Sequence, residues 1–384
     1  MTLSKIILNI RFGYGIRSGG PNMTSITEAL QGVKGADPLD RRFARPSMLE
    51  RIGLHAELQA ARRDQRKNVP GGKARFKAAQ QKIRRWTGED MQAYLVRAAM
   101  SEHGFKERLV AFWVDHFTIS AKNQRLALTL GAYIDEAIRP NIAASFGEML
   151  KAVTMHPGML MYLDQVTSFG PNSQIGQRRD RGGLDDVLAF LDDLAVHPDT
   201  AAHIARKLAV HFVAENPPED LVQALTKTYR DTGGDLMAIY QTLLEHPASA
   251  APLGAKVKWP TEFVISAFRA LNLVERLAEA TPRELRSALQ LPLQAMGMDI
   301  FRAPGPDGWS EAAEDWITPP ALAARIEWAV EAAKEYGQEI DPRALLDEVL
   351  GEGVSNALQI AVAGAESKWE GVALLLVSPE FNRR

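Results

Sequence analysis

The fold is decided by the stretch Phe105-Lys-Glu-Arg-Leu-Val-Ala-Phe-Trp-Val-Asp-His-Phe117, which places large apolar side chains at helical spacing. Intervals of three and four residues are the repeat of one broad helix face that is buried against other elements. The pattern predicts an amphipathic helix whose apolar face belongs to the core. That face would consist of Phe105, Leu109, Phe112, Trp113, His116 and Phe117.

The same helical spacing extends along the rest of the chain. Alanine and leucine recur with charged residues at this spacing, whereas alternating β-branched runs between tight turns are scarce. The sequence therefore predicts an all-α fold, either a multi-helix bundle or an irregular helical array with long loops. Further helices are predicted at residues 122–138, 140–155, 184–196, 199–214, 218–230, 235–245, 261–273 and 282–296, and from about residue 320.

Four dipeptides with proline separate apolar periodic segments, namely His156-Pro157, His197-Pro198, His246-Pro247 and Ser378-Pro379. Proline disfavours the α conformation in the residue before it and fits the first turn of a helix. We therefore interpret these pairs as helix junctions. A histidine in the last turn of a helix can also contact the exposed carbonyl groups there.

Composition restricts the class of protein. The 384 residues are 46% hydrophobic and 24% charged, and the net charge is −2, which is typical of a soluble globular protein without a global attraction to nucleic acid or anionic lipid. Cysteine is absent, which excludes disulfides, thiolate zinc sites and thiol nucleophiles. The apolar run before Arg11 is too short for a signal peptide, and no transmembrane segment is visible. A cytoplasmic location is therefore expected.

Two segments are predicted to be loops, residues 167–183 and 299–320. The second contains Phe301-Arg-Ala-Pro-Gly-Pro-Asp-Gly-Trp309, in which proline and glycine specify turns that lead into a tryptophan. Trp309 could anchor this loop on the protein surface or line a cleft.

Several blocks in this order together resemble the bacterial "domain of unknown function 1800" family. They lie at residues 108–120, 138–141, 156–164, 170–172, 204–208, 256–260, 306–309 and 378–381, with Phe146, Phe212 and Phe263. The resemblance implies a largely helical protein of unestablished activity, often encoded beside proteins that look like sulfatases or phosphatases. A partner of that kind is one expectation. The resemblance also divides the chain into residues 1–90, an N-terminal helical region, and 91–384, the helical family core.

The chain departs from the family pattern at two places. Val114 stands where the family tends to carry a second histidine beside His116. After Gly170-Pro-Asn172 the family usually continues into a block rich in acidic, amide and imidazole groups, which this chain lacks. We therefore predict an internal deletion at about residues 173–183, with the loss of many polar groups.

Asp115, His116 and Asp164 are candidate metal ligands. One histidine and two carboxylates could hold Zn, Mn or Mg with open positions for a reaction, although adjacent residues on a helix point about 100° apart. The alternative is structural. In that interpretation His116 is a buried imidazole satisfied by hydrogen bonds, and Asp115 pairs with a neighbouring arginine.

The strongest charge anomaly lies at residues 62–85, where ten cations are opposed only by Asp64. Pro70-Gly71-Gly72 should divide the segment into two helical arms. Its positive faces could bind a protein, anionic lipid or nucleic acid, or lie in solvent or against the acidic remainder of the chain. Nucleic acid is disfavoured because Phe76 is the only aromatic residue in the segment. The candidate partner-binding residues are Arg62, Arg63, Arg66, Lys67, Lys73, Arg75, Lys77, Lys82, Arg84 and Arg85.

These observations favour a helical binding or assembly module without a resident cofactor. The alternative is a metal-assisted hydrolase in which Asp115, His116 and Asp164 supply the ligands of a divalent metal.

Overall fold

The structure is a computed structural model that describes residues 3–165 and 183–384. Within these ranges the regular elements are helices, and β-type pairing is limited to three isolated bridges. The predicted all-α class is confirmed. No helix in the described ranges has the length and apolar character that crossing a membrane requires.

The N-terminal helices lead up to the helix predicted from the opening stretch. They are α1 (Lys5–Phe12), α2 (Ile26–Lys34), α3 (Leu39–Arg42), α4 (Met48–Arg66), α5 (Gly72–Met100) and α6 (Gly104–His116). Helix α5 is continuous across residue 90, so the predicted division at that residue would fall within a helix. The division itself stays a prediction.

The middle of the chain continues with short helices that pack around α6. They are α7 (Gln124–Tyr133), a π-helical turn (Ile134–Ile138), a 3-10 turn (Arg139–Asn141), α8 (Phe146–Met155), α9 (Pro157–Tyr162), α10 (Leu184–Val196), α11 (Pro198–Phe212), α12 (Glu219–Thr232), α13 (Leu236–Glu245) and a 3-10 turn (Pro247–Ala250). The helix predicted at 140–155 was placed too early, because α8 begins only at Phe146, where Ser145 and Glu148 form a capping box.

The C-terminal part contains a second set of helices. They are α14 (Pro260–Ala270), α15 (Val274–Glu279), α16 (Pro282–Leu285), a π-helical turn (Arg286–Gln290), α17 (Leu291–Ala295), a 3-10 turn (Ala313–Asp315), α18 (Pro319–Tyr336), α19 (Pro342–Leu350), a 3-10 turn (Gly351–Gly353), α20 (Asn356–Ala363), α21 (Lys368–Val377) and α22 (Pro379–Asn382).

Two large apolar cores meet along α5, α6 and α14. The first surrounds Phe105, Leu109 and Trp113 of α6, and the second surrounds α14 and the C-terminal helices. The stripe predicted from sequence is confirmed for these three residues, which are 0% exposed. However, α6 is buried on nearly all sides, including its charged residues Glu107 and Arg108. It is therefore a central helix rather than an amphipathic helix on the protein surface.

The four junctions at proline are confirmed, but the histidines act differently from the expectation. His156, His197 and His246 each precede the first turn of a helix, and Nδ1 of each ring accepts a backbone N–H of that following turn. Ser378 caps α22 in the same way. These side chains satisfy exposed N–H groups at helix starts instead of contacting carbonyls at helix ends.

Candidate functional site

Asp115 lies near the end of α6 and is only 9% exposed. Its Oδ1 accepts the backbone N–H of Trp309 at 2.7 Å, which joins α6 to the loop that precedes α18. Gly308 permits this approach, because its φ is +83° and a Cβ there would lie 2.5 Å from Oδ2 of Asp115. In the described part of the chain no arginine forms the ion pair considered for Asp115, and the partner of this carboxyl group there is a backbone amide.

The environment of Asp115 favours its protonated form. The pKa of Asp115 is raised to about 7, mainly by burial and also by the charge of Glu311, while the hydrogen bond from Trp309 and the charge of Lys207 act in the opposite direction. Oδ2 makes no hydrogen bond to any residue that the structure describes. A buried carboxyl group with one unpaired oxygen and a pKa near neutrality is typical of functional sites.

Asp115 lines a cavity of about 50 Å³. The walls come from segments that are distant in sequence. Five of the fifteen described residues that line the cavity are aromatic, namely Tyr14, Tyr94, Trp259, Phe301 and Trp309. Trp309 lines this cavity and also packs against the apolar cluster around Trp259 and Trp316, so the structure agrees with both functions considered for it, a loop anchor and a cleft wall. Sequence reasoning did not identify Tyr14, Tyr94 or Trp259 as site residues, because nothing local to them indicates that they meet α6.

Glu262 of α14 is the second carboxylate that lines the cavity. Arg384 donates from Nε to Oε2 of Glu262 at 2.8 Å, and Arg108 forms an ion pair with Oε1. Burial alone would raise the pKa of Glu262, but Arg108 and Arg384 outweigh that effect and lower the pKa to about 2. The cavity therefore combines a permanently ionised carboxylate with one, Asp115, that changes charge near neutrality.

A buried polar network lies behind Glu262. His211 contacts Glu311 through Nδ1 at 2.6 Å and Arg108 through Nε2 at 3.1 Å. Burial lowers the pKa of His211 to about 4, so its ring is neutral, with Nδ1–H donating to Glu311 and Nε2 accepting from Arg108. Lys256 donates from Nζ to the other oxygen of Glu311 at 2.6 Å. These bonds hold Glu262 and Glu311 in ionised, fully paired states.

His116 does not line the cavity that Asp115 lines. Its ring lies 4.7 Å from that of Phe117 and 6.0 Å from that of His203, measured between ring centroids. The pKa of His116 is lowered to about 3, mainly by burial and also by the nearby Lys207 and His203. The expected hydrogen bonds to this imidazole are not formed by any described residue, since its surroundings are mainly aromatic rings.

Asp164 is exposed on the turn that follows α9, with a φ of +56°. Across residues 3–165 and 183–384, no group of three or more His, Cys, Asp or Glu side chains is arranged to hold a metal ion. The metal site built from Asp115, His116 and Asp164 stays a prediction. Most of the predicted deletion, at about 173–183, lies outside the described residues.

The basic segment forms the predicted hairpin of two antiparallel helices, α4 and α5. Leu54, Leu58, Ile83 and Trp86 pack between the arms near its base. At the same level Arg51 of α4 donates from both terminal nitrogens to Asp90 of α5, at 2.7 and 2.8 Å. This buried bidentate ion pair fixes the direction in which the hairpin projects.

The outer half of the hairpin is largely exposed to solvent. Between residues 62 and 78 only Gly72 is buried, where a Cβ would lie 2.8 Å from the backbone of Asp64. Nine of the ten cations are exposed, and the tenth, Lys82, lies over the ring of Trp86. Among the described residues, no carboxylate beyond α4 and α5 forms an ion pair with them. The positive faces therefore lie in solvent and not against the acidic remainder of the protein.

Comparison with known proteins gives one match. A search of curated proteins finds none similar to this chain, and a search of solved structures finds no match either. A family described as "Protein of unknown function (DUF1800)" matches residues 7–174 and 169–383, two ranges that overlap next to the predicted deletion. Together the ranges cover nearly the whole chain. The chain therefore belongs to the DUF1800 family of proteins of unknown function.

Proposed function

We propose that the protein is a binding and assembly module whose basic hairpin, residues 62–85, docks onto an acidic surface of a partner protein. The observation that carries the proposal is the outer half of the hairpin, which projects into solvent with only Gly72 buried between residues 62 and 78. A rigid base and a tip whose many cations are opposed only by Asp64 together form a preorganised surface for an acidic partner.

The charge pattern of the hairpin supports a binding role for its cations, because the pattern does not stabilise the helices. Arg62 and Arg66 lie four residues apart on α4, as do Lys73 and Lys77 on α5. Like charges at this spacing destabilise a helix by about 0.2–0.5 kcal/mol for each pair. A charge pattern that weakens the helices and contributes nothing to the core is typical of a surface selected for binding.

A protein partner fits this surface better than nucleic acid does. Single-stranded nucleic acid is usually bound by stacking bases on exposed aromatic rings. The hairpin offers only Phe76, which is half-buried. Proteins that resemble sulfatases or phosphatases and are encoded nearby are the first partners to test.

The test is site-specific photo-crosslinking in cells that produce the protein. A photoreactive amino acid replaces exposed Ala74 at the tip, and a control protein carries it at Ile360, which is 74% exposed on α20. We expect a discrete protein adduct from position 74 alone. A second variant changes Arg62, Arg63, Arg66 and Lys67 to glutamine, and its matched control changes Arg230, Arg283, Arg302 and Lys368.

The hairpin variant should reduce the adduct at least tenfold, because charge complementarity governs association and is screened by salt. The control variant, which removes the same number of exposed charges, should leave the adduct unchanged. Equal adducts from positions 74 and 360, or an adduct that withstands the hairpin substitutions, would refute the proposal. Adducts that consist of nucleic acid or lipid would also refute it, since they identify a different class of partner.

A further inference from the structure

The cavity beside Asp115 has a chemical character distinct from that of the hairpin. Among the residues that the structure describes, its only charged lining residues are Asp115 and Glu262, and no lysine, arginine or histidine lines it. The rings of Tyr94, Trp259 and Trp309 contribute to its walls. Aromatic faces carry negative electrostatic potential, so both the carboxyl groups and the aromatic part of this lining attract cations.

We propose that this cavity is a binding site for a small organic cation, an ammonium group with few carbon atoms. Oδ2 of Asp115 is the oxygen that pairs with the positive charge of the ligand, because Oδ1 accepts the Trp309 amide and both oxygens of Glu262 are paired with arginines. The aromatic rings contact the carbon atoms that surround the nitrogen. This site is independent of the hairpin and of its partner.

The walls are fixed before any ligand enters. The indole N–H groups of Trp259 and Trp316 both donate to the carbonyl oxygen of Ser310, at 3.0 and 2.9 Å. Phe301 has a φ of +66°, which is unfavourable for a bulky residue, and its carbonyl oxygen accepts the N–H of Ala121 at 2.7 Å. Strained backbone held by surrounding bonds is characteristic of preorganised binding sites.

Other ligand classes fit this cavity less well. A metal ion such as Mg²⁺ or Ca²⁺ requires several oxygen ligands, and here one carboxylate oxygen is available. An anion would approach two carboxyl groups without a lining cation to receive it. A volume of about 50 Å³ corresponds to roughly four water molecules, which suits a small ammonium headgroup better than a sugar ring.

Binding should release the proton of Asp115. A cation beside Oδ2 compensates the negative charge that burial disfavours, so the carboxyl group ionises on binding. The charged and titratable groups that act on Asp115 are Lys207, Glu311 and Tyr94, with Glu262 across the cavity. Lys258 lies behind Glu262, and its pKa is also lowered to about 7, mainly by burial. A substitution at Asp115 is therefore needed to distinguish the effect of pH on Asp115 from its effect on Lys258.

The test is a titration of the protein with tetramethylammonium chloride at matched chloride concentration. Binding is monitored by nuclear magnetic resonance saturation transfer. This probe has no titratable proton, so any change in its affinity with pH belongs to the protein. We expect saturable binding with a Kd on the order of 1 mM for this small ligand, a nitrogen atom with its methyl groups. Affinity should rise between pH 5 and pH 8. tert-Butanol, a neutral molecule of similar shape, should bind at least tenfold more weakly.

Two variants and their controls locate the site. Asp115→Asn and Trp309→Leu should each weaken binding at least tenfold, and Asp115→Asn should abolish the change in affinity with pH. The matched controls are Asp307→Asn, an exposed carboxylate in the same loop, and Trp369→Leu on α21, and neither should change the Kd. The proposal is overturned by absence of saturable binding, by equal affinity for tert-butanol, or by an Asp115→Asn protein that binds as tightly as the original. A pH dependence that persists in that variant would also overturn the role of Asp115.

Discussion

Asp115→Asn should make the protein more stable, and the gain should depend on pH. The pKa of Asp115 is about 7 in the folded protein, against 3.8 for an ordinary aspartate, because burial disfavours its charge. A carboxyl group whose folded pKa is raised contributes stability that is fully present below its unfolded pKa and lost as pH rises through its folded pKa. Asparagine keeps an oxygen for the Trp309 N–H and has no charge to bury.

The magnitude follows from the shift of roughly three pKa units at 1.36 kcal/mol for each unit. The gain in unfolding free energy from the substitution should be about 4 kcal/mol at pH 8 and less than about 1 kcal/mol at pH 4. Asp115 is 91% buried, so solvent screens this effect little. A gain of this size at a candidate binding site would mean that stability is sacrificed there for function.

The measurement is urea unfolding at pH 4 and at pH 8, monitored by far-ultraviolet circular dichroism. Asp307→Asn serves as the control, because it removes the same charge from an exposed position and should change the midpoint little at either pH. The reasoning fails if Asp115→Asn is no more stable than the original protein at pH 8, or if its gain is the same at both pH values.

Three further substitutions test buried contacts. Tyr240→Phe removes the acceptor of the Trp113 indole N–H at 2.6 Å and should cost about 1–3 kcal/mol of unfolding free energy, measured by urea unfolding. Glu262→Gln leaves two buried guanidinium groups without their carboxylate and should cost about 3–5 kcal/mol, measured in the same way; a loss below 1 kcal/mol would contradict the network. Gly131→Ala would place a methyl group 2.0 Å from Oδ1 of Asp90 and should cost about 1–3 kcal/mol, seen as a lower thermal midpoint.

Local sequence patterns predicted the helices and their ends. Periodicity located α6 through Phe105, Leu109 and Trp113, and the pairs at proline located four helix starts. Glycines at 71 and 72 marked the turn of the hairpin. These predictions succeeded because each depends on contacts within a few residues or on one helix face.

The cavity could not be predicted in this way, because its walls come from segments that are far apart in sequence. Tyr14, Tyr94, Trp259 and Trp309 meet only after the two cores have packed together, and no local pattern encodes that meeting. The burial of charged residues on α6 was missed for the same reason. Asp115 was chosen from its helix, but its partner lies 194 residues later in the chain.

The network around Glu262 also has a consequence for the order of folding. It joins residues 108, 262 and 384, so it cannot form on the ribosome until residue 384 has been synthesised. Until then Glu262 lacks one of the two guanidinium groups that pair with it when it is buried, and the centre of the protein should remain open to solvent. Contacts of such long sequence separation slow folding. A nascent chain should therefore depend on chaperones for longer than its short helices suggest, and a prematurely terminated chain should be degraded.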